Sequence, residues 1–349
     1  MGTGLKHQLI AAGLSAIAGC GADRLLAPVA RGRGAILMFH HVRPRRPDAF
    51  RPNALLEITP GFLDATLALV RRLGFAIVPL DEVPELLVER AAGPPFVALT
   101  FDDGYRDNRD HALPVLRRHG VPWTMFVTTG YASQAGSLWW VELEDAVRAG
   151  ERLVLPDGTV LPARTAVEKA AAYAAAYREL RGGPEERLRG VVSAWCDEAG
   201  IDRAAIVRRL CLDWDELAAL RGEPGLTIGA HTLTHPMLAK HGAETAAREI
   251  AESGRIIAER LGREVRHLAY PVGDPGSAGP REFQLAREAG YATAVTTRPG
   301  HLFQEHRAHL TALPRVSVNG LHQSEAALRA LLSGVPFLAW NRGRRVNVG

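Results

Sequence analysis

Eight short apolar runs, at 35–40, 75–79, 96–101, 123–128, 226–230, 266–271, 291–297 and 313–318, alternate along this chain with segments whose apolar residues recur at helical spacing. A run without polar alternation must be covered on both faces, which calls for a parallel sheet with helices outside it. Phe96-Val97-Ala98-Leu99 is typical, uncharged, with Pro94-Pro95 before it and Gly104 shortly after. Helices are expected at Pro60 to Leu73, Asp107 to His119 and Glu244 to Leu261, the last with Ile250, Ile257 and Leu261 on one face. At 349 residues and 47% hydrophobic content, one large α/β domain has ample core, and no second domain is demanded.

Two of these runs end in residues that carry chemistry. After Leu99-Thr100-Phe101 come Asp102, Asp103 and Gly104. Neighbouring side chains on an extended backbone point to opposite sides, so one carboxylate can hold a metal while the other holds a water. Taken alone, Asp-Asp-Gly reads first as a turn. The second run, Leu226 to Ala230, leads into His231-Thr232-Leu233-Thr234-His235-Pro236. Two imidazoles four apart share one face of a helical turn and can reach one ion; Pro236 disfavours helix at His235, so a single turn ending there is expected.

These residues resemble the polysaccharide deacetylases related to the nodulation protein B, also called carbohydrate esterase family 4. Thr100 to Gly104 matches the family's Thr-Phe-Asp-Asp-Gly, His231 to His235 matches His-Ser/Thr-x-x-His, and Leu268-Ala269-Tyr270-Pro271-Val272-Gly273 is similar to its strand ending in Pro-x-Gly. The resemblance implies an irregular (β/α) barrel, often seven-stranded. It implies that Asp103, His231 and His235 bind one divalent ion, zinc by default with cobalt, nickel or manganese possible, and that Asp102 is the general base. It also implies that a backbone N–H from the segment at Tyr270 stabilises the oxyanion formed as an N-acetylated glycan loses acetate.

Two family features are absent. Ala269 stands where many members carry an arginine that orients the base, and the segment Leu313 to Val318 lacks the histidine that serves as general acid. Members acting on exopolysaccharides share the Ala-Tyr-Pro form. His40 and His41, closing the run at 35–40, are candidates for the missing acid or for a substrate contact, because barrel strands deliver functional residues at their C-terminal ends. His301 is a weaker candidate.

The span from about Ser133 to Leu212 is extra to the barrel, with a hairpin expected between Leu153 and Leu161 and helices at Ala166 to Leu180 and Pro184 to Glu198. Trp139 and Trp140 within it either stack on sugar rings or anchor the insertion. Trp214 reads as a packing residue at a helix start. Residues 1–34 form an N-terminal helix or export segment, 35–318 the catalytic barrel with its insertion at 133–212, and 319–349 a C-terminal helix and tail.

Charge excludes little by itself. Arginine supplies 39 of the 42 basic residues, but these are interspersed with 38 acidic ones, so the pI of 9.2 does not imply a nucleic-acid surface. No segment is apolar enough to span a bilayer. Cys20, Cys196 and Cys211 lack metal spacing and leave one over if two pair, which favours a reducing, cytoplasmic setting. The alternative is export or lipid anchoring through Cys20, since Leu9 to Cys20 ends in Ile-Ala-Gly-Cys. The expected activity is metal-dependent removal of N-acetyl groups from amino sugars of an oligo- or polysaccharide. A non-catalytic carbohydrate-binding relative and an amidase on a non-sugar C–N bond are the alternatives.

Overall fold

A computed structural model describes residues 3–88 and 93–348. All eight expected runs form strands of one sheet: β1 (Gly34–Phe39), β2 (Ala76–Ile77), β3 (Phe96–Phe101), β4 (Trp123–Val127), β5 (Leu226–Ala230), β6 (His267–Ala269), β7 (Thr293–Pro299) and β8 (Leu313–Ser317). The order is β1-β8-β7-β6-β5-β4-β3, and β3 pairs back onto β1 from Gly34↔Phe96 to Phe39↔Phe101. Seven parallel strands therefore close a barrel. The short β2 pairs only Phe96 and Val97, on the edge of β3 whose far half, Thr100 and Phe101, pairs with β4. It lies outside the closure.

Strand alternation sorts the side chains into two sets. Leu37, Phe39, Leu99, Phe101 and Met125 join the core beneath the outer helices, while Ile36, Ala98, Phe126, Ala269 and Val295 form a separate interior cluster. His40 and Asp102 extend the interior series of Ile36 and Ala98, and so emerge at the C-terminal mouth. The helices run Pro60–Arg72, Leu113–His119 after a π turn at Asn108–Ala112, and Ala243–Leu261, close to expectation.

The insertion contains helices Trp139–Ala149, Ala166–Gly182, Glu185–Glu198 and Arg203–Leu210, with the hairpin Arg152–Val154 to Val160–Pro162. Gly158 supplies the positive φ of 87° that its turn needs. Its core, including Trp139, Leu143, Ala176 and Val192, merges with Tyr105, Tyr131 and Met237 of the barrel mouth. Helix Thr3–Gly19 packs Leu14 on Ala327 and Ala330 of helix Glu325–Leu332. Among the described residues, no helix is long and apolar enough to cross a membrane.

Candidate metal centre

Asp102 leaves β3 in ladder geometry, its amide donating to Phe39 O at 3.0 Å. Asp103 then turns into the left-handed region with φ 72°, followed by Gly104 at 61°. Asp is among the few side chains that tolerate this conformation, and the reversal gives the two carboxylates different partners.

Asp103 Oδ1 lies 3.4 Å from His231 Nε2 and 3.3 Å from His235 Nε2, and the three donor atoms fall within 4.8 Å of one another. All three side chains are buried. Asp103 Oδ1 has no hydrogen-bond partner among the described residues, a costly state for a buried carboxylate unless a cation completes it. His231 Nδ1 sits 2.7 Å from Ala269 O; a carbonyl only accepts, so Nδ1 carries the proton and Nε2 presents its lone pair inward. Burial pushes the Asp103 carboxyl up, but the two imidazoles outweigh it and hold it well below the usual carboxylate range. Burial lowers the His235 imidazole, favouring its neutral, ligating form. Two neutral nitrogens and one carboxylate oxygen fit a divalent ion of the zinc type with positions left open.

The expected helical turn between the two histidines does not form. Residues 231–237 are a loop with Thr232 at φ 66° and His235 at φ 57°. Neighbouring elements clamp its backbone instead. Glu249 accepts from the amides of Leu233 and Thr234 at 2.8 and 2.9 Å, Arg189 donates to His235 O at 2.8 Å, and Glu185 accepts from Met237 N at 2.6 Å. Glu185 and Arg189 come from the insertion, as does Trp140, whose ring centroid lies 4.9 Å from that of His235.

The arginine missing at position 269 is supplied from another strand. Arg315 of β8 donates Nη1 to Asp102 Oδ1 and Nη2 to Asp102 Oδ2, each at 2.7 Å, and Nε to Thr296 O at 2.8 Å. Burial raises the Asp102 carboxyl, but the guanidinium overcomes it and the net direction is down. His40 Nε2 lies 3.8 Å from Asp102 Oδ2. Its imidazole is lowered, chiefly by burial and against the pull of Asp102 and Asp103.

The sequence profile of the polysaccharide deacetylase family matches residues 89–155 and 190–294, which contain Asp102, Asp103, His231 and His235. The chain belongs to the polysaccharide deacetylase family. The gap in the match, 156–189, falls within the insertion. Solved structures share the fold at low identity. A deacetylase from Streptococcus pyogenes, PplD, in complex with acetate, superposes with TM-score 0.55 at 19% identity, covering 82% of this chain and 92% of that one. IcaB from Ammonifex degensii gives 0.55 at 18%, covering 86% and 98%. The deacetylase domain of BpsB from Bordetella bronchiseptica gives 0.50 at 15%, covering 82% and 95%. No curated protein matches the sequence.

The other residues singled out in this polysaccharide deacetylase are engaged as follows, Trp139, Trp140 and Trp214 in the packing roles that were among the expectations for them. His41 is already engaged by its neighbours: Nδ1 lies 2.6 Å from Asp107 Oδ2 and the ring stacks on Tyr105 at 3.6 Å. His301 links Arg31 O and Leu331 O at 2.9 and 2.8 Å, so both of its ring nitrogens are engaged by backbone. Trp139 and Trp140 are buried against one another, edge to face at 5.7 Å, so neither offers a face to a sugar. Trp214 starts helix Trp214–Ala219 under Arg260, a packing role. The Tyr270 amide donates to Val295 O at 3.1 Å and its hydroxyl to Thr311 O at 2.8 Å, which leaves no donor for an oxyanion. Two positions further on, Val272 takes φ 59°, unusual for a β-branched residue, and its amide has no partner among the described residues. Arg315 and Val272 are the residues that reading the sequence missed. Arg315 was legible only as the single cation in an otherwise apolar strand, Leu313 to Val318.

Proposed function

We propose that this polysaccharide deacetylase is a metal-dependent hydrolase that removes N-acetyl groups from amino sugars of an oligo- or polysaccharide, with zinc as its ordinary ion. The observation carrying this reading is the orphaned Asp103 Oδ1 between two imidazole nitrogens, beside a second carboxylate held ionised by Arg315. A divalent ion held by Asp103, His231 and His235 supplies Lewis acidity, making water acidic enough to attack and polarising the acetyl carbonyl.

Asp102 takes the proton from the attacking water, since its carboxylate is ionised and fixed by both prongs of Arg315. Negative charge then develops on the former carbonyl oxygen, and the unpaired Val272 amide at the same mouth is the available donor. Asp102 returns its proton to the nitrogen as the C–N bond breaks, releasing acetate and the free amine. His40, kept neutral by burial, contacts the substrate beside Asp102.

Metal analysis together with acetate release from a panel of N-acetylated glycans tests this reading. The parent chain should bind one divalent ion and release acetate. Asp102→Asn should retain the ion and lose ~100- to 10,000-fold in rate. Glycan binding by a metal-loaded parent that releases no acetate would establish the non-catalytic alternative instead.

A further inference from the structure

The two ends of the chain build a small helical annex whose outer face combines apolar side chains with unpaired arginines. Helices Ala22–Leu25, Ala27–Ala30 and Val335–Trp340 carry Leu25 at 80% exposure, Val29 at 60% and Trp340 at 57%. Single exposed apolar residues are ordinary on a protein surface, whereas several on adjoining elements are not. These elements adjoin: a Cβ added at Gly334 would come within 2.2 Å of Ala30 O. His301 ties Arg31 to Leu331, and Asn341 donates to Pro299 O at 2.9 Å. Val29 and Trp340 therefore sit on adjoining elements, both exposed.

Charge on these elements is mostly positive. Arg24, Arg342 and Arg344 are exposed, and their side chains have no ion-pair or hydrogen-bond partner among the described residues. The acid in this part of the chain, Asp23, is buried on Arg329 at 2.6 Å and does not offset them. Arg345 adds a further exposed cation, 3.6 Å from Glu305. From Val335 to Gly349 there are three arginines and no acidic residue.

We propose that this annex docks the protein on a lipid bilayer carrying anionic phospholipid. Leu25, Val29 and Trp340 enter the headgroup region, where an indole is favoured, and Arg24, Arg342 and Arg344 lie against lipid phosphates. A second copy of the chain fits this face less well, because a two-fold contact would bring like arginines against one another. Attachment of this kind lies on the membrane and needs no spanning helix.

Flotation of the full chain with vesicles tests the proposal. It should float with phosphatidylcholine vesicles containing about one third phosphatidylglycerol, and not with phosphatidylcholine alone, and the association should weaken as salt is raised. The R342S/R344S variant should partition roughly thirtyfold less well, taking the usual contribution of a cation near such a surface. The emission difference between the parent and Trp340→Phe, which isolates this indole, should shift to the blue on vesicles. Val29→Glu should abolish flotation while acetate release from soluble glycan stays at the parental rate, which separates this face from the catalytic site. Equal flotation with neutral vesicles, or partitioning unchanged in R342S/R344S, would overturn the proposal. So would concentration-dependent dimerisation lost in Val29→Glu without flotation of the parent, which would assign the face to a second copy.

Discussion

Arg315 grips Asp102 with both prongs of its guanidinium, at 2.7 Å each, across 213 positions of sequence. Both side chains are buried, 1% and 2% exposed, so neither charge is stable there without the other. The planar fork matches a carboxylate and fixes its rotation as well as its charge. Thr100 Oγ1, 3.2 Å from Nη1, completes the set on the interior face of β3. An arginine on β8 thus does for this base what the third motif does in many relatives of the family it resembles.

Removing the guanidinium in Arg315→Met leaves a buried carboxylate alone. The protein should lose roughly 3–5 kcal/mol in chemical denaturation. Because Arg315 holds the Asp102 carboxyl below its ordinary value, its removal lets the value rise, and the acid limb of the kcat/KM profile should move to higher pH. Arg315→Lys keeps the charge without the fork and should return the limb part of the way. An acid limb in Arg315→Met that coincides with the parent's would exclude this role for the pair.

The neighbours His40 and His41 should separate cleanly. His41 is held between Asp107 and the Tyr105 ring, so His41→Ala should lower stability by about 2 kcal/mol with little change in KM. His40 faces Asp102, and His40→Ala should raise KM while preserving both limbs of the pH–rate profile. Collapse of kcat in His40→Ala, with loss of the alkaline limb and unchanged KM, would make His40 the general acid in place of Asp102.

Arg189 connects the insertion to the metal loop. It donates to His235 O at 2.8 Å and pairs with Glu185, whose other oxygen accepts from Met237 N. His235 Nδ1 has no partner among the described residues, so the orientation of this imidazole depends on its backbone and on Trp140. Arg189→Met should therefore weaken zinc binding by about 10- to 100-fold when the metal-stripped chain is titrated, the range typical of losing an outer support. Arg189→Lys should recover part of it. Parental zinc affinity in Arg189→Met, with the fold intact by circular dichroism, would show that the loop holds its own shape.

The barrel was legible because unalternating runs such as Phe96 to Leu99 can be satisfied only by burial on both faces, and their ends pointed to Asp102, Asp103 and His231. What stayed hidden has physical causes. The loop at 231–237 is shaped by Glu249, Arg189 and Glu185 and not by local propensity, so spacing alone suggested a helical turn that tertiary hydrogen bonds override. Barrel closure decides which strands face one another, and one sequence gives no sign that position 315 meets position 102. For His40 and His41, alternation was the usable clue: His40 continues the interior series of Ile36, and His41 cannot. The indoles of Trp139 and Trp140 look like sugar platforms in sequence, yet burial in the insertion core claims them first.

Acid sensitivity of the fold should have an identifiable source outside the site. His306 is buried, its Nδ1 accepts from the Phe303 amide at 3.0 Å, and its Nε2 has no partner among the described residues. Burial outweighs these local contacts and pushes the imidazole down from 6.5 to about 4. The unfolded chain, with its ordinary value, binds a proton that the folded chain refuses between those two limits. Stability is then unaffected above pH 6.5, falls as the pH drops toward about 4, and changes no further below that on account of this residue. The loss attributable to His306 is bounded at ~3 kcal/mol. His306→Gln can still accept from the Phe303 amide but cannot titrate. Denaturation measured from pH 7 to pH 4 should show a shallower decline in the variant than in the parent, and parallel declines would remove His306 from the account.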